Sequence, residues 1–314
     1  MKFTIAIHGG AGTILKSEMT PALEQGYLEG LRSALIAGYS VLEKGGTAID
    51  AAIVATVTLE DNILFNAGRG SVFTKNGTHE MDASVMDGSD LSAGAVCGVR
   101  NLRNPVKLAE AVMRNSDHVI LSGEGANDFA VKQNIPLEPD GYFFSQFRYD
   151  QWQAIRHSDD YALDHSVSTN PNEFPDKKFG TVGAVACDKN GNIAAATSTG
   201  GMTNKNYGRI GDTPLIGCGT YANNKTCAVS CTGHGELFIK AVAAYDVSCL
   251  MEYRNLNLHD AVNKVVNEKL VAIGGEGGII GVDAQGNFAL LFNSEGMYRG
   301  VKTSDGFEQV AIYK

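Results

Sequence analysis

The 314-residue sequence contains no run of clustered Lys and Arg, no internal repeat and no low-complexity tract. Duplex binding needs such a basic cluster, and the formal net charge of −9 also argues against a phosphate-binding surface. The first apolar stretch is short and is interrupted by His8 and two glycines, which is typical of a first strand and not of a signal peptide. We therefore expect a cytoplasmic protein without nucleic-acid or membrane partners.

Several chemical signatures are also missing. The six cysteines form no C-x-x-C pair and have no matching histidine spacing, so neither a zinc site nor a redox motif is indicated. His8-Gly9-Gly10 invites comparison with the oxyanion loop of lipases, but no G-x-S-x-G motif accompanies it. The segment 217–222 matches a dinucleotide fingerprint in spacing only, because Asn223 and Asn224 follow where a helix should continue. Catalysis is therefore expected to need no cofactor.

What is present is ordinary globular composition, with 44% hydrophobic and 19% charged residues. The patterns predict helices near 21–44, 51–59, 105–115, 124–133, 146–157, 235–251 and 258–271, with Thr20 as the N-cap of the first and a capping box at Thr47–Asp50 ahead of the second. They predict strands near 3–7, 70–74, 79–87, 91–100, 181–187, 192–199, 225–232, 278–283, 287–293, 297–302 and 308–313. The first strand is expected to stop at a turn formed by His8-Gly9-Gly10-Ala11-Gly12. Stacking two antiparallel sheets with helices outside both would bury every apolar face. We therefore expect an α+β fold, a four-layer α/β/β/α sandwich, in a single domain spanning 1–314.

An abrupt change of composition at Thr181 is the most informative local feature. The residues from His157 to Gly180 have little apolar pattern and hold two of the seven prolines, which is typical of a segment that does not order well. A threonine alone is more often an ordinary β-branched strand residue. Here, cleavage of Gly180–Thr181 would give Thr181 a free α-amine beside its hydroxyl, so one residue would carry both nucleophile and base. We expect an α subunit, 1–180, with a flexible linker at 157–180, and a β subunit, 181–314.

Two further segments offer binding groups. Arg209 and Asp212 are three residues apart between glycines, so a guanidinium and a carboxylate could together hold an amino-acid backbone. The alternative is an exposed local ion pair. Thr232 and Gly233 end a strand before a helix, where a hydroxyl and an N–H could form an oxyanion hole. The alternative there is a helix N-cap.

Motifs along nearly the whole chain carry a family resemblance. They are A-I-H-G-G-A-G at 6–12, L-F-N-A-G-R-G-S-V-F at 64–73, M-D-A-S-V-M-D-G at 81–88, R-N-P-V at 103–106, G-T-V-G-A-V-A at 180–186, A-A-T-S-T-G-G-M-T-N-K at 195–205, G-R-I-G-D-T-P at 208–214 and C-T-G-H-G-E at 231–236. Together they resemble the plant-type asparaginases, also called isoaspartyl or β-aspartyl peptidases, of the N-terminal nucleophile (Ntn) hydrolase superfamily. The resemblance implies hydrolysis of β-aspartyl dipeptides and L-asparagine.

The resemblance also implies roles for individual residues. It implies that Thr181 is the nucleophile released by cleavage after Gly180. Its implied partners are the hydroxyl of Thr199, the nearby Asn66, the oxyanion hole of Thr232 and Gly233, and the substrate-binding residues Arg209, Asp212 and Gly235. A structural sodium ion is implied in the loop 59–69, on main-chain carbonyls of Leu59, Glu60, Asn62, Phe65, Ala67 and Arg69, since backbone oxygens suit a hard cation. The implied assembly is a dimer of processed αβ units.

Two alternative functions stay open at this point. A glycosylasparaginase shares T-S-T-G-like and G-R-x-G-D segments but usually lacks the A-I-H-G-G-A-G opening. A non-processing protein could keep Arg209 and Asp212 as an amino-acid receptor, although retention of Thr181, Thr199 and Thr232 together argues against that role. His234 stands where some relatives have threonine, and we interpret it as a structural or rim residue, because a free threonine amine would make a histidine base unnecessary.

Overall fold

The computed structural model describes residues 2–157 and 180–314. Apart from its two ends, the predicted linker lies outside these described residues. The strands are Thr4–Gly12 (β1), Met81–Asp87 (β2), Ala93–Val99 (β3), Ile120–Ser122 (β4), Val182–Cys187 (β5), Ile193–Thr199 (β6), Thr220–Ala222 (β7), Cys227–Gly233 (β8), Gly277–Asp283 (β9), Phe288–Phe292 (β10), Gly296–Thr303 (β11) and Glu308–Tyr313 (β12). The helices are Pro21–Glu43 (α1), Ala48–Glu60 (α2), Pro105–Asn115 (α3), Gly123–Lys132 (α4), Gln146–Ile155 (α5), Gly235–Ala241 (α6), Ala243–Arg254 (α7) and Leu258–Asn263 (α8), with a π-helical turn, Lys264–Leu270, after α8.

The described strands form two sheets. The larger has the order β12-β11-β1-β5-β6-β2-β3-β4, and the smaller has the order β10-β9-β8-β7. Among the described strands, neighbours in each sheet pair antiparallel except β3 with β4, which pair parallel. Helices α1, α2 and α3 cover the outer face of the larger sheet, and α7 and α8 cover that of the smaller one. The predicted α/β/β/α sandwich is therefore confirmed.

Side-chain alternation along the strands separates three apolar layers. On β5, Val182, Ala184 and Ala186 belong to the core under α1–α3. Val185 and Cys187 belong to a second cluster between the sheets, which also contains Ile280 and Val282 of the smaller sheet. A third cluster lies between the smaller sheet and its own helices. Because successive strand residues point to opposite faces, one short strand serves two of these layers.

Local signals in the first half act as the sequence predicts. The Thr20 hydroxyl accepts a hydrogen bond from the Leu23 N–H at 3.2 Å and caps α1, with Pro21 at the first helical position. The Thr47 hydroxyl caps α2 by accepting from the Asp50 N–H at 3.2 Å. These caps satisfy N–H groups that have no partner inside the helix. The two tandem helices therefore begin where the sequence places them.

The turn predicted after residue 7 is wrong. β1 continues to Gly12, because its pairing with β11 shifts register between His8 and Gly10, and Gly10 takes a φ of 116°. A bulge with a glycine at positive φ absorbs the extra residue without ending the strand. This extension places His8 on β1, between β5 and β11.

Four other elements differ from the prediction. The segment 70–74 is no strand, and a 3-10 turn at Gly68–Gly70 stands before it. The expected helix 235–251 is two helices, because Val242 adopts a left-handed conformation with a φ of 48°. The three-residue strands β4 and β7 were not predicted, since they are too short to show alternation.

The cysteines agree with the absence of a disulfide pattern. All six are free thiols, of which Cys218 and Cys249 are half-buried and the others buried. Cys227 and Cys231 share one face of β8, as their spacing predicts. Burial raises the pKa of Cys227 to about 12. Cys227 is therefore an inert packing group at neutral pH.

Among the described residues, none of the helices combines the length and the apolar character needed to cross a membrane.

Candidate active site

The predicted nucleophile lies immediately before β5, at the edge of the interface between the sheets. Thr181 is buried, and its hydroxyl lies 3.3 Å from the hydroxyl of Thr199, at the end of the neighbouring strand β6. The Thr199 hydroxyl donates to the carbonyl oxygen of Gly180 at 2.6 Å. It also accepts from the N–H of Gly201 at 2.9 Å. Thr199 therefore contacts both the hydroxyl that would attack and the carbonyl that would be attacked.

Asn66 lies against the same peptide. Its side-chain amide donates to the Gly201 carbonyl at 2.7 Å, and its side-chain oxygen accepts from the Val72 N–H at 3.0 Å. A Cβ atom on Gly180 would lie 1.9 Å from the Asn66 Cβ, and one on Gly200 would lie 2.4 Å from the Asn66 side-chain oxygen. The backbone at Gly180 and at Gly200 is therefore packed so closely against Asn66 that only glycine fits at these two positions.

Arg209 has a partner that the sequence reasoning missed. Its Nε and Nη2 donate to the two carboxylate oxygens of Glu236, each at 2.9 Å. Burial alone would raise the pKa of the Glu236 carboxyl, but the hydrogen bonds and charge of Arg209 outweigh burial and lower that pKa. A guanidinium has five N–H donors, so Nη1 and the second hydrogen of Nη2 remain for a carboxylate approaching end-on.

Asp212 is buried next to this guanidinium. Its Oδ2 atom accepts no hydrogen bond from the described residues. Burial raises the pKa of the carboxyl to about 7, even though the Arg209 charge acts in the opposite direction. A Cβ atom on Gly235 would lie 2.9 Å from Asp212 Oδ1 and 3.0 Å from Arg209 Nη2. The absence of that Cβ keeps open the space between a carboxylate and a guanidinium. A buried acceptor without a donor costs about 1–3 kcal/mol, and a bound ammonium would remove that cost.

Thr232 and Gly233 close the end of β8. The Thr232 hydroxyl accepts from the Ala11 N–H of β1 at 3.3 Å, which leaves its own hydrogen for donation. Gly233 has a φ of 151°, and a Cβ there would lie 2.4 Å from the Glu276 carbonyl oxygen. The N-cap position of α6 belongs to His234, so the alternative that Thr232 is a helix cap is wrong.

Two residues at the site were not predicted to act there. In the sequence, Glu236 is only an acidic residue in the first turn of a predicted helix. The helix dipole favours an acidic residue at that position, so its presence does not indicate a binding partner. His8 is fully buried, and its Nδ1 lies 3.0 Å from the carbonyl oxygen of Thr181. A strand continuing through residue 8 would have placed His8 on the face of β1 that points to the other sheet. The sequence was instead interpreted as a turn at that position.

The loop 59–70 is lined by backbone oxygens. A Cβ on Gly68 would lie 2.6 Å from the Glu60 carbonyl oxygen, and one on Gly70 would lie 2.1 Å from the Phe65 and 2.6 Å from the Ile63 carbonyl oxygens. Gly68 and Gly70 therefore pass close to three carbonyl oxygens of this loop, in space that a side chain would fill. Such a donor set fits a hard cation, and it includes two of the residues expected to hold sodium, Glu60 and Phe65.

Comparison with known proteins agrees with this geometry. The family model described as "Asparaginase" matches residues 1–312. The chain is 51% identical to an isoaspartyl peptidase of Salmonella typhimurium, over 100% of this chain and 99% of the relative. It is 50% identical to the isoaspartyl peptidase of Escherichia coli, over 100% and 97%. It is 40% identical to a probable isoaspartyl peptidase/L-asparaginase of Arabidopsis thaliana, over 99% of each chain. With the fold, the threonine pair and these matches taken together, the chain belongs to the asparaginase family of Ntn hydrolases.

Proposed function

We propose that this protein is a self-processing isoaspartyl peptidase and L-asparaginase that hydrolyses β-aspartyl dipeptides and L-asparagine through an ester on Thr181. The observation that carries the proposal is the contact of the Thr199 hydroxyl with both the Thr181 hydroxyl, at 3.3 Å, and the Gly180 carbonyl oxygen, at 2.6 Å. The same arrangement suits attack on the chain's own peptide bond before cleavage and attack on a substrate afterwards.

Self-cleavage would release the catalytic amine. The Thr181 hydroxyl attacks the Gly180 carbonyl carbon, the peptide nitrogen leaves as the new α-amine, and water hydrolyses the resulting ester. An α-amino group titrates at about 7.7–8.0, which is close enough to neutral pH for it to act as the general base in later turnovers. The protein would then consist of chains 1–180 and 181–314.

In the turnover reaction, the amine takes the proton of the Thr181 hydroxyl as that oxygen attacks the β-carbonyl of the substrate. The Thr232 hydroxyl and the Gly233 N–H are the proposed donors to the oxyanion. The leaving amine accepts a proton, and water then hydrolyses the β-aspartyl ester. Asn66 holds the segment that follows Thr199 against the segment at Val72, through its bonds to Gly201 and Val72.

The substrate's aspartyl half is proposed to lie between Arg209 and Asp212. Its α-carboxylate would accept from Nη1 and Nη2 of Arg209, while Glu236 holds the other edge of the guanidinium. Its α-ammonium would donate to the unpaired Oδ2 of Asp212, in the space that Gly235 leaves open. The substrate is thus a small molecule with a free aspartyl backbone.

Three further expectations remain part of the proposal. The carbonyls of the loop 59–70 would hold a structural sodium ion, which would supply rigidity and take no part in bond-making. The processed units would assemble as a dimer, as the family resemblance implies. The cytoplasmic location expected from the sequence stays a prediction.

We predict a pH dependence from Asp212. Because its pKa is raised to about 7, the carboxyl becomes protonated as pH falls through 7 and no longer pairs with the substrate's ammonium. The Thr181 amine, titrating at about 7.7–8.0, must also be deprotonated. The plot of log kcat/KM against pH should therefore approach a slope of about 2 below pH 7 in wild type and about 1 in Asp212→Asn. An identical slope in both proteins would contradict the assignment.

The leaving group provides the test of the function. β-Asp-Leu should have a higher kcat/KM than L-asparagine, because its second residue can make transition-state contacts near His234 that ammonia cannot make. N-acetylglucosaminyl-asparagine should hardly react, since no feature of the site argues for a wide mouth. The measurement is kinetics on the three compounds side by side. If the sugar substrate reacts fastest, the protein is instead a glycosylasparaginase, and if no compound reacts with processed protein, the proposed function is wrong.

A further inference from the structure

A layer of polar side chains lies between the two sheets, where the neighbouring positions are apolar. Five strands contribute one fully buried residue each to this layer: His8, Ser84, Thr197, Thr220 and Ser230. Each lies two residues from a member of the apolar inter-sheet cluster on its own strand, so strand alternation directs all five into the same interface. Burying a polar group costs free energy unless the group is hydrogen-bonded. The hydrogen bonds among these five residues therefore show what the layer holds in place.

The first bonds of the layer reach the nucleophile. His8 Nδ1 lies 3.0 Å from the Thr181 carbonyl oxygen, and His8 Nε2 lies 2.8 Å from the Ser230 hydroxyl. A Cβ atom on Gly183 would lie 2.1 Å from the Ser230 hydroxyl oxygen and 2.5 Å from His8 Nε2. The hydrogen bond between His8 of β1 and Ser230 of β8 thus occupies the space that a side chain at Gly183 of β5 would fill.

The layer then continues to the substrate-binding loop. The Ser230 and Thr197 hydroxyls are 2.7 Å apart, and Thr220 donates to Thr197 at 2.5 Å. The Ser84 hydroxyl lies 2.8 Å from that of Thr220 and 2.6 Å from the Thr213 carbonyl oxygen. Since Thr213 follows Asp212 directly, the chain of bonds connects the nucleophile to the peptide that carries the proposed ammonium-binding carboxylate.

The hydrogen bonds from Thr220 to His8 all run in one donor-to-acceptor direction. A carbonyl oxygen only accepts, so the His8 proton is on Nδ1, and burial lowers the pKa of this histidine to about 3, which keeps the ring neutral. Nε2 is then an acceptor, and Ser230 donates to it. Each hydroxyl has a single hydrogen, so Thr197 donates to Ser230 and Thr220 to Thr197. The hydroxyl orientations from Ser230 to Thr220 are thereby set by the tautomer of His8. The one hydrogen of Ser84 is shared between the Thr220 hydroxyl and the Thr213 carbonyl oxygen.

We propose that this layer is a positioning device for the reaction, in which His8 holds the reacting end of Thr181 and Ser84 holds the loop of Asp212. The inference rests on the proposed function. After cleavage at Gly180, Thr181 loses its covalent neighbour on one side. Its carbonyl bond to His8 and its hydroxyl contact with Thr199 then restrain a free chain end. A reacting atom displaced by about 1 Å can cost about 100-fold in rate.

The test compares Ser230→Ala with Ser84→Ala in the processed full-length protein. Both changes remove one hydroxyl from a fully buried serine of the same layer. Loss of a buried hydrogen-bond partner corresponds to a change on the order of 10-fold. Ser230→Ala should lower kcat by about that factor with KM nearly unchanged, because it frees the His8 end. Ser84→Ala should raise KM by about that factor with kcat nearly unchanged, because it frees the Asp212 end. Equal changes of both constants in both variants would indicate a merely structural layer and would overturn the inference.

Two amide variants at position 8 test the contact with Thr181 itself. His8→Asn places an N–H near the position of Nδ1, whereas His8→Gln places its amide nearer to that of Nε2. If the bond to the Thr181 carbonyl positions the nucleophile, His8→Asn should retain more of the wild-type kcat than His8→Gln. The opposite order, or equal kcat values, would contradict the proposal.

A measurement on wild type does not depend on any variant folding. Imidazole nitrogen NMR of protein labelled with ¹⁵N-histidine should show His8 as the neutral Nδ1–H tautomer, unchanged between pH 5 and 8. An Nε2–H tautomer, or a titration in that range, would overturn the inference. These outcomes are separable from failure of the proposed function: in that case wild type would not hydrolyse β-Asp-Leu at all, while the tautomer signal would be unaffected.

Discussion

Thr181→Ala should leave the protein as a single chain of 314 residues, while wild type should give two chains, 1–180 and 181–314. Alanine has no hydroxyl to attack the Gly180 carbonyl, and without cleavage no α-amine is released. Hydrolysis of β-Asp-Leu should fall by about 10⁴-fold or more, the scale seen when a catalytic nucleophile is removed. Denaturing mass spectrometry of each purified protein gives the chain masses, and a steady-state assay gives the activity.

Two matched variants separate chemistry from folding at this junction. Thr181→Ser keeps the hydroxyl and should still cleave, at a changed rate. Thr199→Val keeps the size of the neighbouring side chain but removes the hydroxyl that contacts Gly180 and Thr181, so cleavage should slow markedly. Partial processing of wild type is compatible with the proposal. A wild-type protein that stays one 33.3 kDa chain after long incubation, and behaves like Thr181→Ala, would rule the proposal out.

The layered fold could be predicted because its signals are local. The alternation of β5 and β6 and the Asn190-Gly191 turn between them define an antiparallel hairpin, and Gly191 has the φ of 82° that such a turn requires. The caps Thr20 and Thr47 mark two helix starts. Short elements carry too few residues to show a period, which is why β4 and β7 were missed. The bulge at His8 was missed because a glycine pair predicts a turn and a bulge equally well.

The candidate site could be predicted only where single segments carry the chemistry. Thr181 and Thr199 meet because their strands form a hairpin, and Arg209 and Asp212 share one loop. Glu236 lies 27 residues from Arg209 in sequence, so no local pattern connects them. The polar layer around His8 depends on how one sheet stacks on the other. Strand alternation determines which face a residue takes, but not which residue of the opposite sheet it meets.

Arg209→Lys should lower kcat/KM for β-Asp-Leu by about 100-fold, mainly through KM, while self-cleavage proceeds normally. The guanidinium holds Glu236 with two N–H groups and still presents Nη1 and Nη2 to the substrate's α-carboxylate, whereas a lysine ammonium cannot offer two such edges. Charge-assisted hydrogen bonds contribute about 1.5–3 kcal/mol each, and each 1.4 kcal/mol corresponds to a factor of ten. Initial rates at sub-saturating and saturating β-Asp-Leu give both constants.

The control for this substitution is Arg114→Lys. Arg114 also pairs with carboxylates, Asp50 and Glu110, but on an exposed surface where such pairs contribute about 0–1 kcal/mol. The same chemical change should therefore alter kcat/KM by less than about 2-fold there. A substrate analogue without the α-carboxylate sharpens the comparison, because wild type should lose most of its advantage over Arg209→Lys on it. If Arg209→Lys is processed normally and hydrolyses β-Asp-Leu as fast as wild type at sub-saturating concentration, Arg209 does not bind the α-carboxylate, and the substrate must be held by other groups.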